Sequence, residues 1–229
     1  MASRGHVFCV GVSSFLAVCS LILLVIVLFS ASFRYNLDNL EGTKNYGLFR
    51  FCYTPKTDSQ SRDDDSNSKT CHLRNYINSD QCSSSLRNRG GSNKEKSARD
   101  CFGDFELATI ILMCISIVCC IIAFVFSFCA FSKQIRTISQ SIDLIFLLLA
   151  AICSLSGFLV YTYYYELKDN QYEVIAGYQY QIHYGWAYYV FGVSSLLQWS
   201  SFVCSLFGSA FLLVNKNKKR QSKVTSTSL

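Results

Sequence analysis

Four long apolar runs, at roughly residues 7–31, 107–131, 142–165 and 186–214, divide the chain into alternating apolar and polar blocks. Each run is at least as long as the ~20 residues an α-helix needs to cross about 30 Å of hydrocarbon at 1.5 Å per residue. The pattern predicts four membrane-spanning helices. The polar gaps are unequal: 32–106 is long, 132–141 is ten residues, and 166–185 is about twenty. Successive spans reverse direction, so the two larger gaps share one face of the membrane and the short one lies opposite.

A second period appears inside the gaps. From 178 to 184 the chain alternates strictly, with Tyr178, Tyr180, Ile182 and Tyr184 on one side and Gln179, Gln181 and His183 on the other. That is the mark of a half-buried β-strand. A lone strand is not stable, so it needs partners in the long gap. Residues 32–37 and 48–54 are the candidates, and Gly47 permits a turn or close packing before the second. The stretches 58–69 and 83–99, the latter with Gly90-Gly91, are polar and read as disordered.

Charge orients the spans. The short gap carries Lys133 and Arg136 with no acid, and the tail carries Lys216, Lys218, Lys219, Arg220 and Lys223, again with no acid. Short basic segments mark the cytoplasmic side. Both termini and the short loop are therefore expected in the cytoplasm, with the loops 32–106 and 166–185 extracellular. The net charge of +6 does not imply nucleic-acid binding. Its basic residues either face acids in the long loop or sit beside the bilayer, where they serve as an inner-leaflet contact. The first run is longer than the apolar core of a signal peptide and reads as a retained span.

The long loop holds Cys52, Cys71, Cys82 and Cys101, an even set suited to an oxidising compartment. Four cysteines allow three pairings. Cys52–Cys71 with Cys82–Cys101 is favoured, and Cys52–Cys82 with Cys71–Cys101 is the rival. The cysteines within the spans read as reduced packing groups. Cys9 and Cys129, near the inner interface, are candidates for reversible palmitoylation. In the fourth run Ser201, Ser205 and Ser209 recur every four residues. With Gly192, Gly208 and mid-span Gln198 they predict a helix-packing face closed by hydrogen bonds. Asp143 is expected to open the third helix, held by the helix dipole or by Arg136. Tyr161, Tyr163, Tyr164, Tyr165, Trp186, Tyr188 and Tyr189 predict an outer aromatic belt.

No chemistry-bearing motif occurs: there is no His-Glu-x-x-His, no phosphate-binding glycine loop and no Cys-x-x-Cys. The run Asp63-Asp64-Asp65 and the scattered His6, His72 and His183 make no metal site. No catalytic residue, cofactor or metal is expected. The ending Thr227-Ser228-Leu229 fits a PDZ-type terminus, with 224–229 expected to be extended and available as an added strand.

Gly47-Leu48-Phe49-Arg50-Phe51-Cys52, with the four-span topology, resembles the claudin superfamily of tetraspan proteins. That group includes claudins, peripheral myelin and epithelial membrane proteins, and the gamma auxiliary subunits of calcium channels. The resemblance covers the whole chain. It implies an all-α membrane four-helix bundle with a small extracellular antiparallel β-sheet, forming one domain over 1–214, followed by a cytoplasmic basic tail over 215–229. It also implies that Cys52 has its partner further along the first loop. Phe49 replaces the usual Trp, the gap to Cys71 exceeds the claudin spacing, and two further loop cysteines are present. Gly185-Trp186-Ala187-Tyr188-Tyr189 resembles the gamma-like branch. The resemblance implies a non-enzymatic plasma-membrane protein. The first expectation is an auxiliary or organising subunit of a channel, receptor or adhesion protein in the same membrane. The alternative is a cell-junction or adhesion protein that self-associates in cis or trans and forms paracellular contacts. A PDZ scaffold is a further expected partner in either case.

Overall fold

The computed structural model describes residues 4–38, 42–55, 70–73, 104–129, 136–167, 172–175 and 178–227. In chain order these form α1 (Arg4–Phe29), β1 (Arg34–Asp38), β2 (Gly42–Tyr46), β3 (Arg50–Pro55), β4 (Thr70–Leu73), α2 (Asp104–Cys129), α3 (Arg136–Glu166), β5 (Tyr172–Ile175), β6 (Tyr178–Tyr184) and α4 (Trp186–Thr227). Four helical segments are long and apolar enough to cross a membrane: Gly5–Phe29, Phe105–Cys129, Thr137–Glu166 and Trp186–Val214. The expected four-span bundle with an antiparallel, unclosed sheet is what the chain forms.

The sheet has strand order β4-β3-β2-β1-β6-β5, antiparallel throughout. The strands anticipated in the long loop are β1 and β3, and β6 pairs directly with β1 through Arg34↔Tyr184, Tyr35↔His183 and Asn36↔Ile182. Three short strands, β2, β4 and β5, are too short to carry a clear period-2 signal and lie outside the predicted strands.

The residues fall into two compact units, one of Met1–Leu24, Leu112–Ser156 and Gly192–Leu229, the other of Val25–Ile111 and Gly157–Phe191. The first is purely helical and its interior is unusually polar. Apolar clusters there include Ala17, Ala123 and Leu147 with Phe146 and Phe202, and Cys119, Cys120 and Ala150 with Leu21 and Phe146. Between them runs a ladder of hydroxyl bonds. Ser13 and Ser201 each donate to the other's carbonyl at 2.8 Å. Ser20 donates to the Ser194 carbonyl at 2.9 Å, and the Ser154 and Ser195 hydroxyls meet at 2.6 Å. Small hydroxyl residues let helices approach closely while their own hydroxyls stay bonded away from lipid.

Three sequence expectations need correction. Asp143 does not open a helix: α3 begins at Arg136, so Asp143 lies two turns inside, beyond reach of a dipole effect confined to the first turn. It is buried and accepts from Ser205 at 2.8 Å. The predicted aromatic belt divides. Trp186, Tyr189, Tyr163 and Tyr164 are exposed, but Tyr161, Tyr165 and Tyr188 are core. Finally, the stretch 224–227 is helical, because α4 continues unbroken from the span to Thr227. No Gly or Pro stops it after Val214, and Lys and Arg are good helix formers.

Candidate functional site

The site-bearing part of the second unit is the sheet and the helix ends beneath it. Its geometry begins with two glycines. A Cβ on Gly47 would lie 2.1 Å from the Ser30 carbonyl oxygen, and one on Gly185 would lie 2.0 Å from that of Ser32. Both contacts are with backbone, so only glycine fits. Gly47 donates to the Arg50 carbonyl at 2.7 Å, closing the turn into β3. Gly185 donates to the Phe33 carbonyl at 2.8 Å, fixing where β6 hands over to α4. Next to Gly47, Leu48 is fully buried and Phe49 stacks on Phe29 at 6.2 Å. Arg50 is exposed. The Gly47-Leu48-Phe49 motif thus fastens the β2–β3 connection to the end of α1.

Under the sheet lies a charged layer that sequence reasoning missed. Arg34, at the start of β1, pairs with Glu106, at the start of α2, and both are buried. The Arg34 guanidinium also lies 5.9 Å from the Tyr46 ring centre and 5.8 Å from that of Phe105. Burial alone would lower the Arg34 pKa, but Glu106 and the surrounding tyrosines outweigh it and hold the group above its ordinary value. Asn36 and Lys44, opposed in the β1–β2 register, are buried as well. The available signal was the alternation of β1 itself, which puts Arg34 and Asn36 on one face. Read as a surface strand, it gave no reason to expect that the polar face is the covered one.

Around this layer sits an aromatic core. Phe33 meets Tyr161 at 4.8 Å and Phe191 at 6.1 Å, and Phe158 stacks on Tyr188 at 5.0 Å. Tyr184 lies between Tyr165 at 4.0 Å and Tyr188 at 4.1 Å and donates to Glu166 at 2.9 Å. Burial, then that hydrogen bond, push the Tyr184 phenol well above its ordinary pKa, so it remains a donor.

Cys52 and Cys71 are bonded and directly opposed in the β3–β4 register, with Cα atoms 4.1 Å apart. Cys82 and Cys101 lie outside the described residues, as do Asp63, Asp64 and Asp65. The sheet's two edges are β4 and β5, each with a single neighbouring strand among the described residues. All four residues of β4 are exposed, Leu73 by 75%. On β6, Gln181 and His183 are exposed and Tyr35 sits 5.5 Å from the His183 ring. This surface can form backbone pairs at an edge and side-chain contacts across a face. Among the described residues no group of three or more His, Cys, Asp or Glu could hold a metal.

The predicted packing residues of α4 lie in the first unit. Gln198 donates to Ser116 at 3.0 Å and to Cys120 Sγ at 3.2 Å. Ser201 and Ser205 are fully buried, Ser209 is half-buried and bonds back to the Ser205 carbonyl at 3.1 Å, and Gly192 is half-buried. Thr227 is the last residue of α4, and Leu229 lies outside the described residues. Cys9 is half-buried and Cys129 exposed.

Residues 18–214 match the family model described as PMP-22/EMP/MP20/Claudin tight junction. The chain belongs to this family. No individual curated protein matches it. The match runs from within α1 through the sheet to the end of the fourth span, so the resemblance carried by Gly47-Leu48-Phe49-Arg50-Phe51-Cys52 extends over most of the fold. As a claudin-family tetraspan the protein is non-enzymatic. The unusual spacing from Cys52 to Cys71 is accommodated as a cross-strand disulfide.

Proposed function

We propose that this claudin-family tetraspan acts at cell–cell contacts, as a junctional or adhesion protein whose stapled sheet meets other copies of the chain. The observation that carries the reading is the family match over 18–214, whose description includes the claudins and the tight junction. The sheet supports it with two edges suited to backbone pairing. The sequence alone leaned towards an auxiliary subunit, on the gamma-like start of the fourth span. Gly185 has a structural explanation that weakens that lean: it is required by its contact with Ser32.

In this reading the short basic segments face the cytoplasm and the sheet faces outward at the plasma membrane. Antibody against a tag before α1 or after α4 should reach it only in permeabilised cells. Scaffold binding through Thr227 and Leu229 would require the last turn of α4 to unwind, since PDZ domains take an extended strand. The direct test of function is aggregation. Non-adherent cells expressing the chain should cluster, and those expressing Cys52→Ser at equal surface level should cluster less. Dispersed cells at high surface expression, with a channel or receptor as the dominant proximity-labelled neighbour, would favour the auxiliary reading.

A further inference from the structure

The tyrosine stack beside β6 ends in an open corner. Tyr184 lies between Tyr165 and Tyr188, and its hydroxyl donates to Glu166 Oε1 at 2.9 Å. Tyr189 stands across the edge of that stack. It is turned 75° from Tyr188, with ring centres 5.4 Å apart, and 65° from Tyr184, with centres 6.4 Å apart. Tyr184 and Tyr188 are within 21° of parallel, so together they make one wall and Tyr189 the other. Tyr189 is 61% exposed, and Glu166 is exposed as well. Trp186, one turn before Tyr189 on the same side of α4, is 51% exposed. A carboxylate held by a phenol thus sits at the end of a tyrosine cluster whose outer rings the core leaves largely uncovered.

Depth in the membrane says what covers this corner. Glu166 is the last residue of the third span and Trp186 the first of the fourth. Tyr189 follows about 4.5 Å further along the helix axis. These groups lie where hydrocarbon gives way to phospholipid head groups. An interfacial aromatic belt needs no carboxylate among its rings. A carboxylate at this level attracts a cation, and ring faces attract one through their quadrupole. Anionic lipids concentrate in the cytoplasmic leaflet, which leaves zwitterionic head groups on the sheet side in the topology described above. Among these, ethanolamine carries N–H groups that any acceptor or water can satisfy. Choline is a quaternary ammonium without N–H, and it is recognised by ring faces and negative charge. Tyr189, Trp186 and Glu166 offer both.

We propose that Glu166, Tyr189 and Trp186, with Tyr184 positioning the carboxylate, form a site for the choline head group of an outer-leaflet phospholipid, which braces the ends of α3 and α4 beside β6. The leaflet follows from the proposed topology; the site is independent of contact between copies.

The test is native mass spectrometry of the full-length protein in mild detergent, titrated with phosphatidylcholine or with phosphatidylethanolamine of identical chains. The two lipids differ only in N-methylation. The expected result is a preference of about two- to fivefold for the choline lipid, the range of a cation–π contact at an exposed site. The preference should vanish in Tyr189→Leu and in Glu166→Gln, and persist in Tyr189→Phe, which keeps the ring. Phe15→Leu, at an exposed position on α1, should leave it unchanged. Equal retention of both lipids by the unaltered protein, or better retention of the ethanolamine lipid, overturns the proposal. So does a choline preference that survives both Tyr189→Leu and Glu166→Gln, which would put the selectivity elsewhere on the protein. Tag accessibility decides the leaflet, and this measurement decides the ligand.

Discussion

Gly47 and Gly185 define the sheet's attachment by what they lack. At each, a methyl group would lie within about 2 Å of a backbone carbonyl oxygen, which cannot rotate away. Gly47→Ala and Gly185→Ala should each destabilise the fold by at least the ~1–3 kcal/mol typical of overpacking. The expected outcome is retention inside the cell, measured as a fall in surface biotinylation, whereas Gly11→Ala, with open space around its Cβ, should leave surface level unchanged. Arg34 and Glu106 make a sharper case. Removing one partner of a buried pair leaves the other charge stranded, at about 3–5 kcal/mol. Arg34→Met or Glu106→Leu alone should therefore be more damaging than the double variant, and a double-mutant cycle in thermal unfolding measures the coupling. Equal effects of the single and double variants would show that the pair is not an energetic unit.

At the scale of elements, what was legible was written in the local pattern. The four spans were visible as long unbroken apolar runs and β6 by its strict alternation, and Gln198, Ser201 and Ser205 stood out as polar groups in an apolar run. What stayed hidden were elements whose stability comes from elsewhere. β2, Gly-Thr-Lys-Asn-Tyr, has no apolar face to read, yet its Lys44 is buried between Asn36 of β1 and Tyr53 of β3 in the register. The first turns of α3 looked like loop because they are polar, but Ser139 donates to the Phe126 carbonyl and Gln140 to Ser205, so tertiary bonds replace apolar burial. Arg34–Glu106 joins residues 72 apart, a pairing no local pattern encodes. The favoured pairing of Cys52 with Cys71 is the one the structure shows, while Cys82 and Cys101 lie outside the described residues. Loss of the disulfide should cost less than the ~2–5 kcal/mol seen in small secreted domains, since four helices hold the fold independently. Cys52→Ser should therefore lower surface delivery partially, and more than Cys153→Ser. Within the bundle, Gln198→Leu should cost on the order of 0.6–2 kcal/mol, the range of intramembrane side-chain hydrogen bonds. Thermal unfolding in detergent measures it.

At the scale of the whole molecule, a helical unit closed by hydroxyl bonds and a sheet-bearing unit held by an ion pair, an aromatic core and the Cys52–Cys71 disulfide make a membrane protein with a preformed surface. In the proposed reading that surface meets another copy across a cell–cell boundary. The most direct measurement is a mosaic culture in which cells expressing the chain under two differently coloured tags are mixed with cells lacking it. The account predicts enrichment where two expressing cells of different colour touch, both colours together, and no enrichment at borders with non-expressing cells. Uniform distribution along every border, at surface levels equal to those of a known adhesion protein, would contradict it.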